Sequence, residues 1–78
     1  MRQYMNLGGK SGIRHYESGY GCITVQFSNG WVYKYTSVKC GWTRIADMQL
    51  LALAGHGLNG YINRYVRDLF SEKWRAFA

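Results

Sequence analysis

Side chains able to do nucleophilic or acid–base chemistry are few in this chain. It contains two cysteines, two histidines and four carboxylates. Cys40, Asp47 and His56 could supply a thiol nucleophile, a base and an orienting group, but no local pattern supports that arrangement, and buried cysteines are usually inert. No pair of carboxylates suggests a glycosidase. We therefore expect no catalytic residues and no enzymatic activity.

Metal-binding and nucleotide-hydrolysis motifs are also weak. The chain has neither a Cys-x-x-Cys motif nor a closely spaced histidine pair, so a metal site would need four residues that are distant in sequence: Cys22, Cys40, His15 and His56. Gly9-Lys10-Ser11 resembles part of a phosphate loop, but Tyr4 stands where that motif needs a glycine. The sequence predicts no metal and no cofactor.

Anion binding is the chemistry that the composition favours. Ten Lys and Arg residues against four Asp and Glu give a net charge of +6, which favours nucleic acid, a nucleotide or an acidic protein surface as a partner. Arginine binds phosphate oxygens in a bidentate manner, and aromatic rings stack on nucleobases. The candidate ligand-binding residues are Arg14, Tyr33, Lys34, Tyr35, His56, Asn59, Arg64 and Arg67.

Each of these residues has a role in the hypothesis. Arg14, Arg64 and Arg67 would neutralise phosphates, and Tyr33 and Tyr35 would stack on or cap a base. The helix start beside His56 and Asn59 would add backbone N–H donors. Equally, the arginines could form a solvated helix face and the tyrosines could belong to the core.

The sequence is compatible with three kinds of partner. The first is nucleic acid, as RNA or single-stranded DNA, and the second is a small signalling nucleotide. A protein partner is the alternative from a different class, for example an acidic host protein docked by a phage-type inhibitor, because interface hot spots also use aromatic and arginine residues. The exposed aromatic residues would also suit a homodimer.

The elements that must position these residues begin with a hairpin. Asn29-Gly30 between two apolar runs is a strong turn signal. A two-residue loop would pair Phe27 with Val32, whereas a three-residue loop would pair Phe27 with Trp31. We favour the second register because it separates apolar from polar side chains more cleanly. It collects one apolar face, in which the tyrosines are mainly core: Ile23, Val25, Phe27, Trp31, Tyr33 and Tyr35.

The remaining pattern predicts an α+β fold, with a three-stranded antiparallel meander followed by two packed helices. An earlier strand over 13–17 completes the meander. The first helix is predicted to begin at Trp42-Thr43 and to end at Gly55, and Asn59 is the expected N-cap of the second helix. Residues 1–10 are predicted to be a flexible lead-in and 11–78 a single domain, with Trp74 and Phe77 folding back on the sheet.

The sequence also bears on location. No apolar run approaches the length of a membrane span, and no apolar signal core follows the first residues. Two cysteines do not form a disulfide framework. We expect a cytoplasmic protein that does not contact a membrane.

An ordered set of short motifs resembles the KTSC family, which is named for the C-terminus of some lysyl-tRNA synthetases and includes small stand-alone bacterial and phage proteins. The set comprises Ser11-Gly12-Ile13, Ile23-x-Val25-x-Phe27-x-Asn29-Gly30, Tyr33-x-Tyr35 and Gly57-x-Asn59-x-x-Ile62, and the similarity covers about residues 11–70. The resemblance implies a small domain with an RNA-binding role. Ser37-Val38-Lys39-Cys40 replaces the proline-containing turn that is common in the family.

Overall fold

A computed structural model describes residues 1–9 and 11–76. Its antiparallel sheet has five strands in the order of the sequence. They are β1 (Arg2–Gln3), β2 (Ile13–Gly19), β3 (Cys22–Phe27), β4 (Trp31–Thr36) and β5 (Glu72–Arg75). The helices are α1 (Ser37–Cys40), α2 (Trp42–Ala54) and α3 (Leu58–Tyr61), and α3 continues into a π-helical segment, Ile62–Val66. The α+β class is confirmed, but the sheet has two more strands than the predicted meander.

The favoured register of the β3–β4 hairpin is confirmed. Val25 lies opposite Tyr33 and Gln26 opposite Val32, as a three-residue loop requires. Gly30 closes that loop at φ 92°, a left-handed conformation that glycine adopts without steric cost. Val32 lies on the predicted polar face but is buried, and the neighbouring strand β5 places Trp74 opposite it.

One face of the sheet packs against the helices and forms the core. Ile23 and Val25 of β3 are fully buried there, and Tyr35 of β4 is 1% exposed. The helices contribute side chains at helical spacing from α2, α3 and the π-helical segment: Ile45, Met48, Ala52, Leu58, Ile62 and Val66.

The ends of the chain extend the sheet on both sides. Residues 1–10 were predicted to precede the domain, but Arg2–Gln3 pair with β2 and Tyr4 is buried in the core. The physical reason is the tyrosine, whose large apolar ring is stabilised by burial. At the other end β5 pairs with β4, so Trp74 does return to the sheet. Phe77 lies outside the described residues.

The second helical region differs in detail from the prediction. It begins at Leu58 after Gly57, which has φ 83°, so Asn59 lies in the first turn and is not the N-cap. A left-handed glycine makes the sharp entry there, and no side chain caps the helix. No helix among the described residues is long and apolar enough to span a membrane.

Candidate functional site

A cleft of about 380 Å³ opens between β4, β5 and the π-helical segment, whose first two residues, Ile62 and Asn63, line it. Tyr33 and Lys73 line it from the sheet, where they lie opposite each other on neighbouring strands. Arg67, Asp68 and Phe70 line it from the chain that connects the π-helical segment to β5. The cleft thus combines aromatic rings with charged groups of both signs.

The aromatic wall of the cleft is centred on Tyr33. The Phe27 ring meets it edge to face at 5.5 Å between centroids, and the Phe70 ring does so at 5.1 Å. Such perpendicular contacts use the favourable edge-to-face arrangement of aromatic rings. Tyr33 is held in a fixed orientation while remaining half-exposed to the cleft.

Two cations of β5 lie over the same group of rings. Lys73 Nζ lies 5.4 Å from the centre of the Trp31 ring and 5.5 Å from that of Phe70. The Arg75 guanidinium lies 5.7 Å from the Trp31 ring. Cation–π contacts of this kind hold a charged group against an aromatic surface without neutralising it. The positive charges are therefore positioned beside the aromatic wall.

The charges of the cleft favour an anion. Arg67 and Lys73 contribute two cations, against one carboxylate from Asp68. All three side chains are exposed. Within residues 1–9 and 11–76, neither Arg67 nor Lys73 forms an ion pair. Both cations therefore keep their charge available to a ligand, and Asp68 opposes them.

Tyr35 was predicted to stack on or cap a base, and its ring cannot do so. The side chain lines the floor of the cleft, but it is only 1% exposed. Burial raises the pKa of its phenol well above the ordinary value, with smaller contributions from Tyr33, Cys40 and Asp68. The Tyr-x-Tyr pair is therefore divided between a core residue, Tyr35, and a cleft residue, Tyr33.

Lys34 and Arg14, two of the predicted cations, lie outside this cleft. Lys34 stands between Tyr33 and Tyr35, so its side chain points to the opposite face of the sheet, where its strand neighbours are Thr24 and Glu72. Arg14 lines a separate hollow beside the β3–β4 turn.

His56 and Asn59 line a third hollow, of about 240 Å³, together with Tyr4. The sequence suggested that free backbone N–H groups at this helix start could bind a phosphate. However, the Leu58 N–H already donates to Tyr4 Oη at 3.4 Å. One N–H donor of this helix start is therefore already used, and the hollow of His56 and Asn59 is separate from the cleft.

Arg64 lies in another hollow, lined also by Leu51, Tyr61 and Tyr65. Its guanidinium lies 6.0 Å from the Tyr65 ring, which Arg44 also approaches, at 5.6 Å. Arg64 and Asp68 are four residues apart, a spacing that allows an ion pair in an α-helix, but they form none in the described part of the chain. Arg64 and Arg67 therefore line two different hollows of the surface.

The sequence analysis did not identify several residues of the cleft as ligand-binding candidates, among them Asn63, Phe70 and Lys73. Lys73 belongs to β5, whose four residues are all exposed and show no apolar alternation. Phe70 lies at helical spacing from Ile62, Val66 and Leu69, which indicates a place on the buried face of the second helix, but it follows the helix and packs on Tyr33. The alternation of charge and aromatic residues in Lys73-Trp74-Arg75 was the one available signal.

Two of the groups considered for catalysis have other partners. Cys40 Sγ donates to the Leu69 carbonyl at 3.6 Å, and burial raises the pKa of this thiol. Asp47 accepts a hydrogen bond from the Tyr61 hydroxyl at 3.1 Å. Among residues 1–9 and 11–76, no three His, Cys, Asp or Glu side chains are grouped as metal ligands.

Comparisons of the chain with protein families, with curated proteins and with solved structures gave no significant match. The similarity to the KTSC family therefore stays a prediction from the motifs.

Proposed function

We propose that this protein is a small, non-enzymatic binding module for an anionic, nucleotide-type ligand, and that the ligand binds in the cleft between β4, β5 and the π-helical segment. The observation that carries this proposal is that Arg67 and Lys73 line the same cleft as the partly exposed Tyr33 ring. The overall charge of +6 adds long-range attraction for any anion.

The mixture of groups in the cleft favours a nucleotide over a simple anion. An aromatic ring adds little for a sulfate or an inorganic phosphate, whereas a nucleobase gains about 1–3 kcal/mol by stacking on one. Arg67 and Lys73 would bind the phosphate, and Tyr33 and Phe70 would contact the base. The amide of Asn63 lines the same cleft and supplies a donor and an acceptor for a base edge.

Thermal melting with a panel of ligands tests this proposal. The panel contains mononucleotides, cyclic dinucleotides, short RNA and DNA oligomers, and inorganic phosphate as the control anion. A ligand that binds only the folded state raises the melting temperature in a concentration-dependent manner. We expect such a rise with at least one nucleotide and none with phosphate at the same ionic strength. Absence of any rise with the nucleotides would overturn the proposal.

A second candidate function, a protein–protein interaction module, is favoured by one observation. An apolar groove of about 800 Å³ runs between β2 and α2. Leu50 and Leu53 line it and are 66% and 61% exposed, with Met1 beside them. Contiguous exposed apolar surface often marks a contact between proteins. A second copy of this chain would bury these side chains.

Sedimentation velocity over a range of protein concentrations distinguishes this candidate. A dimer that is dissociated by Leu50→Glu, with unchanged melting temperature, would support self-association through the groove. A monomer at all concentrations would exclude self-association through the groove and leave the nucleotide-binding proposal unaffected.

A further inference from the structure

A second basic hollow adjoins the candidate cleft across the β3–β4 turn. Its volume is about 210 Å³, and its lining includes Arg14, Gly30 and Arg75. Phe27 and Asn29 line both hollows, so the two adjoin at these side chains. Their cations, Arg67 and Lys73 in the cleft and Arg14 and Arg75 in the second hollow, together define a basic path over the end of the hairpin.

The position of Arg14 results from an irregularity in β2. Ile13 pairs with Phe27 and His15 pairs with Gln26, so Arg14 is the extra residue of a β-bulge. Bulges redirect side chains at sheet edges and bend the strand locally. The Arg14 carbonyl accepts the Tyr4 N–H at 2.8 Å, which fixes the backbone of the bulge. Its side chain is exposed and has no ion-pair partner among the described residues.

The turn itself supplies a polar group between the two hollows. Asn29 Oδ1 accepts the Trp31 N–H at 3.0 Å, which orients the amide and leaves its NH₂ group as a donor. On β5, Lys73 and Arg75 are two residues apart, so they project from the same face and both lie over Trp31. Lys73 lines the first hollow and Arg75 the second. Donors and cations thus continue from one hollow to the next.

We propose that the ligand is single-stranded nucleic acid, which crosses the β3–β4 turn with one nucleotide in the cleft and the next phosphate at Arg14. This inference rests on the proposed function of the cleft. A mononucleotide would fill the first hollow and leave the second basic hollow unused. A duplex would keep its bases stacked inside the helix, whereas the Tyr33 and Phe70 wall requires an unstacked base.

A comparison of two probes tests the inference, using the full chain and isothermal titration calorimetry. The probes are adenosine 5′-monophosphate and the 5′-phosphorylated hexamer of adenylate. We expect the hexamer to bind at least about tenfold more tightly, since a hydrogen-bonded charge contact contributes about 1.5–3 kcal/mol. Arg14→Gln should lower the affinity for the hexamer about tenfold and leave the affinity for the mononucleotide unchanged. Arg64→Gln, an arginine of another hollow, is the matched control.

Each outcome decides a different claim. Selective loss of hexamer binding in Arg14→Gln, with wild-type melting temperature, supports the path across the turn. Equal affinities for the two probes, with no effect of Arg14→Gln, would overturn the single-strand inference and keep the nucleotide-binding cleft. Absence of binding by both probes would overturn this inference, whereas the melting panel decides the proposed function separately.

Salt dependence gives a second readout. The logarithm of single-strand affinity falls with the logarithm of salt concentration by about 0.7 per phosphate contact. In Arg14→Gln, we expect the plot of log affinity against log salt concentration for the hexamer to become less steep by about 0.7. An unchanged slope would place Arg14 outside the path of the strand.

Discussion

The rings of Tyr33 and Tyr35 lie 6.5 Å apart and within 19° of parallel on one face of β4, yet only Tyr33 reaches the surface of the cleft. Tyr35 is enclosed by the core, whereas Tyr33 lies nearer the β3–β4 turn, beside Phe27 and Phe70. The two tyrosines thus have separate tasks, and their substitutions should have separate effects.

Replacement of Tyr33 tests the stacking role. Tyr33→Leu should weaken nucleotide binding by about tenfold, because stacking of a base on an aromatic ring contributes about 1–3 kcal/mol. Tyr33→Phe should retain most of the affinity, since it keeps the ring. Calorimetric titration measures both. Tyr20→Leu is the control, because Tyr20 is 94% exposed at the other end of β3. Wild-type affinity in folded Tyr33→Leu would show that Tyr33 does not contact the ligand.

Because the cleft contains charges of both signs, removal of a cation and removal of the carboxylate should change nucleotide affinity in opposite directions. Lys73→Gln should weaken binding of a nucleotide by about threefold to tenfold at low salt, and Asp68→Asn should strengthen it by a similar factor. Both effects should decrease at high salt because the charges are exposed. Arg64→Gln changes the net charge by the same amount as Lys73→Gln, and it should have a much smaller effect. If all three charge changes altered affinity only in proportion to net charge, no specific cleft would be needed.

The turn glycine gives a prediction about stability. Gly30→Ala should lower the free energy of unfolding by at least about 1–2 kcal/mol, because a left-handed conformation is costly for alanine. A Cβ atom there would also lie 2.9 Å from the Ala76 carbonyl oxygen. Gly60→Ala is the matched control in α3, with no atom within 4 Å of the added Cβ, and it should stabilise the fold by up to about 1 kcal/mol. Urea denaturation measures both, and equal effects would contradict the described turn.

Burial of Tyr35 predicts a loss of stability at high pH. The folded state raises the pKa of this phenol above the ordinary value of 10.0, because burial disfavours the phenolate. Its contribution is therefore fully present below pH 10 and is lost as the pH rises further, by at most about 1.4 kcal/mol per pH unit for one proton. Denaturation between about pH 9 and pH 11 should show a shallower loss in Tyr35→Phe than in wild type. Parallel curves would indicate that Tyr35 is accessible to water in the folded protein.

The hairpin could be predicted from sequence because two independent signals agreed. The Asn29-Gly30 turn limited the loop to two lengths, and only one of them separated apolar from polar residues along both strands. Strand β5 could not be predicted in this way, because Glu72–Arg75 have no apolar alternation and acquire their extended form by pairing with β4. Lys73 was missed for the same reason.

The separation of Arg64 from Arg67 also could not be predicted from the sequence. Arg64 and Arg67 are three residues apart and would share a face of an α-helix. A π-helical turn contains more residues than an α-helical turn, so this spacing no longer keeps them together. The segment Ile62–Val66 adopts that wider turn, and the two arginines line different hollows. No local sequence motif indicated the change from an α-helical to a π-helical turn.

Nuclear magnetic resonance titration of the ¹⁵N-labelled protein with the 5′-phosphorylated adenylate hexamer tests the central claim most directly. The account predicts saturable shifts of the amide signals of Tyr33, Asn63, Arg67, Phe70 and Lys73, with further shifts at Arg14 and Asn29. Shifts confined to the groove of Leu50 and Leu53, or no saturable shifts at all, would contradict the assignment of this cleft as a nucleotide-binding site.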